Sequence, residues 1–202
     1  MRSSAEPAAA WVGLAALLGV GACLASLAET RSLDWQPALA WREPWRAWSA
    51  AFVHFSALHL AANLAGSAAV AALGWVARVP RRSVVAWAAA WPLTQFALLV
   101  RPDLLRYGGL SGVLHAGVAV VAFFLAVRCT GRRRLIGAAI LVVLIGKVLG
   151  EAPWGAALRY PAAWGIAVAP FAHAAGVVAG LATAAAAELL RRRPARAPDR
   201  ET

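Results

Sequence analysis

Charge is scarce in this chain, and that scarcity decides its solvent. Only 14% of its 202 residues are charged while 61% are hydrophobic, which excludes an ordinary soluble domain, whose composition carries about a quarter charged residues. Cysteine is scarcer still. Cys23 and Cys129 are the only two, too few for a disulfide framework, and both read as packing residues. No internal repeat stands out. Little sequence lies outside the apolar stretches, so there is room for one membrane domain and no second one.

What the chain does hold is one apolar run after another, at about 8–28, 50–77, 83–100, 111–127, 135–150 and 162–189. Each approaches or exceeds the length that crosses a bilayer as a helix. The fifth is the shortest and carries Lys147 near its end. The first contains Val20-Gly21-Ala22-Cys23, loosely like a lipoprotein cleavage site, but stays apolar through Ala28 and so reads as a membrane anchor. The predicted fold class is all-α, a polytopic membrane protein with a bundle of six transmembrane helices over 1–189. A basic flexible cytoplasmic tail over 190–202, with Pro194 and Pro198, follows it.

Basic residues set the orientation. With a cytoplasmic N-terminus and six crossings, thirteen of the 20 Lys and Arg fall on the cytoplasmic side, against four acids. They include Arg2, Arg78, Arg81, Arg82, Arg128, Arg132 to Arg134 and the run from Arg191. The other side takes seven basic residues and five acids. This is the positive-inside pattern, with both termini cytoplasmic. The net charge of +11 is therefore a topology signal and not a nucleic-acid footprint; the partner it implies is membrane lipid. Trp35, Trp41, Trp45 and Trp48 crowd the first outer loop, and Trp154 and Trp164 flank the last. Tryptophan favours the headgroup layer, so the first loop is expected partly in the interface.

Within the spans, polar residues are costly and face a bundle interior or a wet cavity. All four histidines, His54, His59, His115 and His173, fall in or beside spans. Asn63, Ser111, His173 and His59 lie 15, 17, 18 and 19 residues before the arginines that end spans two, four and six. At the helical rise they stand about 22 to 29 Å above the cytoplasmic ends, in the outer third of the membrane. Taken singly, His59 and Asn63, four apart on one helix face, read as interhelical hydrogen-bonding groups, and Ser111 reads as a helix N-cap. Neither reading explains why they converge at one depth.

Serine becomes a nucleophile when a base takes its proton, and histidine titrates in the useful range. A serine–histidine pair without a carboxylate is a reduced triad. Ser111 at a helix N-terminus would bring backbone N–H groups and a positive dipole to a developing oxyanion, with Asn63 and His59 as further donors. Gly108, Gly109 and Gly112 would leave space for a substrate backbone. Two histidines compete as base: His115, one turn along the same helix, and His173, from another helix with Gly176 on its next turn. Gly176 and Gly180 form a small-xxx-small pair for close helix packing.

These residues resemble a rhomboid intramembrane serine protease. The resemblance is carried by Trp45-Arg46, by His54-x4-His59-x3-Asn63, by Gly109-Leu110-Ser111-Gly112 and by His173-x2-Gly176-x3-Gly180, in order over most of the chain. It implies a rhomboid-like six-helix bundle with Ser111 as nucleophile, His173 as base, and Asn63, His59 and the Ser111 N–H as oxyanion hole. It implies that His54, Trp45 and Arg46 support the entrance and first loop, that His115 is not the base, and that the fifth span gates a substrate helix. It implies no metal or organic cofactor, a multi-pass protein of a bacterial inner membrane, and transmembrane protein substrates. The wording "GLSGVLHAG" is similar to the rhombosortase branch, although Ala116 stands where that branch would have glycine. That branch implies substrates with a C-terminal Gly-Gly motif, an apolar helix and a basic end. Lys147 and Glu151, four apart, read equally as part of that pattern or as a salt bridge. Other rhomboid substrates, or a non-catalytic rhomboid-like client binder, are the alternatives. A histidine proton-relay transporter would need polar residues through the inner half, and those segments are apolar.

Overall fold

The computed structural model describes residues 5–28, 32–160 and 167–191. Seven helices account for most of them: α1 (Ala5–Ala25), α2 (Arg46–Ser49), α3 (Ala57–Ala77), α4 (Arg81–Phe96), α5 (Ser111–Arg128), α6 (Gly131–Gly150) and α7 (Pro170–Arg191). Extended pairing among the described residues is limited to two isolated bridges, Trp35 with Tyr107 and Arg159 with Val168. The protein is an all-helical membrane bundle. Five helices are long and apolar enough to cross a bilayer: α1, α3, α4 with its 3-10 extension to Val100, α5 and α7. The sixth expected span, α6, has the length at 20 residues, but Arg132 to Arg134 at its start and Lys147 near its end lower its apolar character.

Span boundaries differ from the sequence expectation for local reasons. The second begins at Ala57, not near 50, because Ser56 is extended and its side chain accepts the His59 N–H, capping the helix there. Ala50–Phe52 instead form a 3-10 turn. The last helix starts at Pro170, where proline suits a first turn; residues 162–166, with Trp164, lie outside the described residues. It continues to Arg191; residues 192–202, which hold most of the expected tail, are likewise outside the description, as is Arg2.

α5 is the centre. It packs against α3, α4, α6 and α7, and Val113, Ala116, Ala119, Val120, Val121 and Ala122 on it are fully enclosed. Its closest neighbour is α7. A methyl group on Gly176 would fall 1.9 Å from the Gly112 carbonyl oxygen, and one on Gly180 would fall 2.5 Å from that of Ala116. Only glycine lets the two backbones come this near. On the other flank Trp11 and Trp87 meet with ring centroids 4.3 Å apart. Their indole N–H groups donate to the Val70 and Val113 carbonyls, so each ring is buried with its polar atom satisfied.

The four tryptophans of the first loop divide between surface and interior. Trp41, Trp45 and Trp48 are exposed, but Trp35 is completely buried, edge-on to Phe96. Its backbone exchanges two 2.8 Å hydrogen bonds with Tyr107. Arg46, also buried, donates to the backbone carbonyl of Asp34 at 2.9 Å and pairs with the Asp34 and Glu43 carboxylates. Arg106 pairs with the other Asp34 oxygen. The loop is thereby fastened to the segment that leads into Ser111. Cys23 and Cys129 are free and half-buried, Cys129 against the main core.

Candidate active site

Gly109 prepares the entry to α5. Its φ of +130° is a backbone state that other residues rarely adopt, and a side chain there would strike the His59 ring at 2.8 Å. Leu110 occupies the N-cap position with no side-chain cap bond, and Ser111 is the first helical residue. The Ser111 hydroxyl therefore does not cap its own helix. It faces His173 of α7, with Oγ 3.0 Å from Nε2, at the helix end where the backbone N–H groups point outward.

His173 is held from its other nitrogen. Nδ1 lies 2.7 Å from Glu151 Oε2. An ionised carboxylate only accepts, so Nδ1 carries the proton and Nε2 presents its lone pair to the serine hydroxyl. The sequence reading contained no carboxylate here; the structure supplies one from the residue just after α6. Burial pushes the Glu151 carboxyl up, but hydrogen bonds from His173 and Lys147 outweigh it and leave the group at about 2.

His115 does something different. Its Nδ1 is 2.6 Å from the Ser111 backbone carbonyl and must donate there. Its Nε2 then accepts from Lys147 Nζ at 2.7 Å. Both ring nitrogens are engaged, and neither meets Ser111 Oγ. The His115 and His173 rings stack, centroids 4.3 Å apart and 11° from parallel. Lys147, the chain's single lysine, closes the cluster by pairing with Glu151 Oε1 at 2.9 Å. The expected salt bridge exists, and both of its members also reach histidines.

Tyr107 completes the surroundings of the serine. Its hydroxyl is 3.4 Å from Ser111 Oγ. Burial pushes the phenol up from its usual range, and its one proton is within reach of both the serine oxygen and the Gly109 carbonyl oxygen, 3.5 Å away. Sequence reasoning missed it; its place four residues before Ser111, at the end of a polar loop, was the available signal.

His59, Asn63, Ser111, His115, Lys147, Glu151 and His173 line one cavity of about 980 Å³, with Phe55, Leu114, Leu144 and other apolar side chains. Asn63 is buried, and one of its two amide hydrogens goes to the His59 backbone carbonyl at 3.0 Å. His54 stands beside His59, ring centroids 4.9 Å apart, with Nδ1 near the Phe52 carbonyl. Burial lowers its pKa, partly opposed by that backbone hydrogen bond. The glycines do not hold space open for a substrate: Gly108 is filled by Val53, Gly109 by His59, and Gly112 by the Ala172 carbonyl and Thr94.

A helical membrane bundle that sets a serine against a histidine and carboxylate inside a cavity has the parts for acyl transfer. The model of the Rhomboid domain matches residues 41–188. The chain belongs to the rhomboid family, whose members are intramembrane serine proteases acting on transmembrane proteins. A search of curated proteins finds no match.

Proposed function

We propose that this chain is a serine endopeptidase that cleaves membrane-anchored segments near the outer face of a bacterial inner membrane, with both termini cytoplasmic. The observation that carries the reading is the 3.0 Å contact between Ser111 Oγ and His173 Nε2, made across 62 residues of sequence. Ser111 Oγ attacks the scissile carbonyl carbon while its proton passes to His173 Nε2. The oxyanion collects donors from the Ser111 N–H, Asn63 and His59. The proton then moves to the leaving amine, and water repeats the sequence to release the acyl group.

The substrates proposed are proteins with a C-terminal Gly-Gly motif, an apolar helix and a basic end, as in the rhombosortase branch. What supports this is the wording of the Ser111 segment together with Lys147 and Glu151 in the site. The test is cleavage in membranes of a Gly-Gly-tailed reporter beside an ordinary transmembrane reporter, at matched expression. Ser111→Ala and His173→Ala are expected to abolish cleavage, a loss on the order of 10⁵-fold or more. His115→Ala is expected to retain it within about tenfold, since that ring holds structure and takes no proton from the serine. Preference for the ordinary reporter would assign general rhomboid substrates. Cleavage surviving Ser111→Ala would overturn the protease reading.

A further inference from the structure

We propose that Glu151 is a positioning residue for His173, completing a serine–histidine–glutamate triad whose carboxylate comes from the C-terminal end of α6. The proposal rests on the protease reading above and adds a third member to the pair.

Three observations carry it. The first is the tautomer. In a free imidazole either nitrogen can hold the proton, and only the form protonated on Nδ1 can act as base toward Ser111. Glu151 Oε2, 2.7 Å from Nδ1, selects that form.

The second is charge. When Ser111 Oγ bonds to the substrate carbonyl carbon, its proton arrives on Nε2 and the imidazole becomes a cation. The cavity lining is largely apolar, so a nearby anion stabilises that cation far more than bulk water would allow. Glu151 supplies the anion and does not itself take the proton. The proton goes from Nε2 to the amine nitrogen as its bond to carbon breaks, and the resting charges return.

The third is Lys147. Its Nζ lies 3.3 Å from His173 Nδ1, and two donors cannot hydrogen-bond to each other. This approach is favourable only because Glu151 accepts from both, Oε1 from Lys147 at 2.9 Å and Oε2 from His173. Lys147 is in turn held by His115, which is anchored on the Ser111 carbonyl. The carboxylate is thus aimed by a chain of contacts that begins at the serine's own backbone. Remove the carboxylate, and an ammonium group is left facing the imidazole that must become positive.

The test is steady-state cleavage of the reporter that wild type prefers, with kcat and KM separated and rates normalised to folded protein. E151Q keeps the shape and removes the charge. It is expected to lower kcat on the order of 10²-fold or more, with KM within about threefold. E151D keeps the charge on a shorter arm and is expected to restore kcat to within about tenfold of wild type. The double variant E151Q/K147M is expected to be faster than E151Q, because the uncompensated cation has gone. A merely structural role for Glu151 would not produce that recovery. E151Q with kcat within about threefold of wild type would overturn the proposal, as would a loss confined to folded yield or to KM. Wild-type cleavage that survives S111A is a different result, which overturns the protease reading itself.

Discussion

At one end of the bundle Glu188 of α7 sits among Arg82, Arg128 and Arg191; at the other, Glu151 sits between Lys147 and His173. Both carboxylates join helices that are distant in sequence. The Glu188 cluster ties α4, α5 and α7 through an ion pair with Arg82 Nε and longer ones to Arg128 and Arg191, at 3.4 and 3.6 Å. Arginine does not lose its proton at any ordinary pH, so that cluster has one charge state and acts as a clamp. Histidine changes charge readily. The same kind of carboxylate, set against an imidazole that also touches a hydroxyl, suits the chemistry proposed for Ser111. What separates the two ends is the partner's ability to change charge, not the depth of burial.

The contact between α5 and α7 underlies both clusters, so breaking it gives the largest effect. Gly176→Leu would drive a side chain into the Gly112 carbonyl, only 1.9 Å from where its first carbon must sit. The expected cost is about 3 kcal/mol or more, read as loss of folded protein in detergent and of all cleavage. Breaking the Glu188 end alone should separate stability from activity. Glu188→Gln leaves three arginines around a neutral amide and should cost about 1–2 kcal/mol, lowering Tm by about 3–8 °C. Its cleavage rate per folded molecule should match wild type. The smallest change is expected from Lys147→Met, which leaves Glu151 in place with its bond from His173. Its kcat should fall by less than about tenfold and its Tm should move by no more than a few degrees. A Lys147→Met loss as deep as that of E151Q would make the lysine, rather than the carboxylate, the controlling charge.

Much of this arrangement could be read along the sequence. Asn63, Ser111, His173 and His59 were placed at one depth by counting from the arginines that end their helices, because a helix converts residue number directly into height. Height says nothing of lateral position. Counting does not choose between His115 and His173, and by sequence Lys147 and Glu151 read equally as a branch pattern and as a salt bridge. The choice depends on which side of α5 meets α7, set by Gly112, Gly176 and Gly180. Ser56 is the start signal of α3, a serine six residues inside the apolar run that begins at 50, and a count of apolar residues passes over it. Composition draws tryptophan to an interface, while a backbone bridge to Tyr107 carries Trp35 into the interior. Loop residues such as Tyr107 follow no helical count, so their nearness to Ser111 emerges only from the fold.

Activation of the Ser111 hydroxyl by His173 underlies the proposed cleavage. Its most direct test is covalent labelling of the purified protein with a fluorophosphonate, followed by mapping of the adduct by mass spectrometry. The expected result is a single adduct on Ser111 in wild type and in Glu188→Gln, absent in His173→Ala. An adduct on another residue, or one formed on Ser111 at an unchanged rate in His173→Ala, would contradict it.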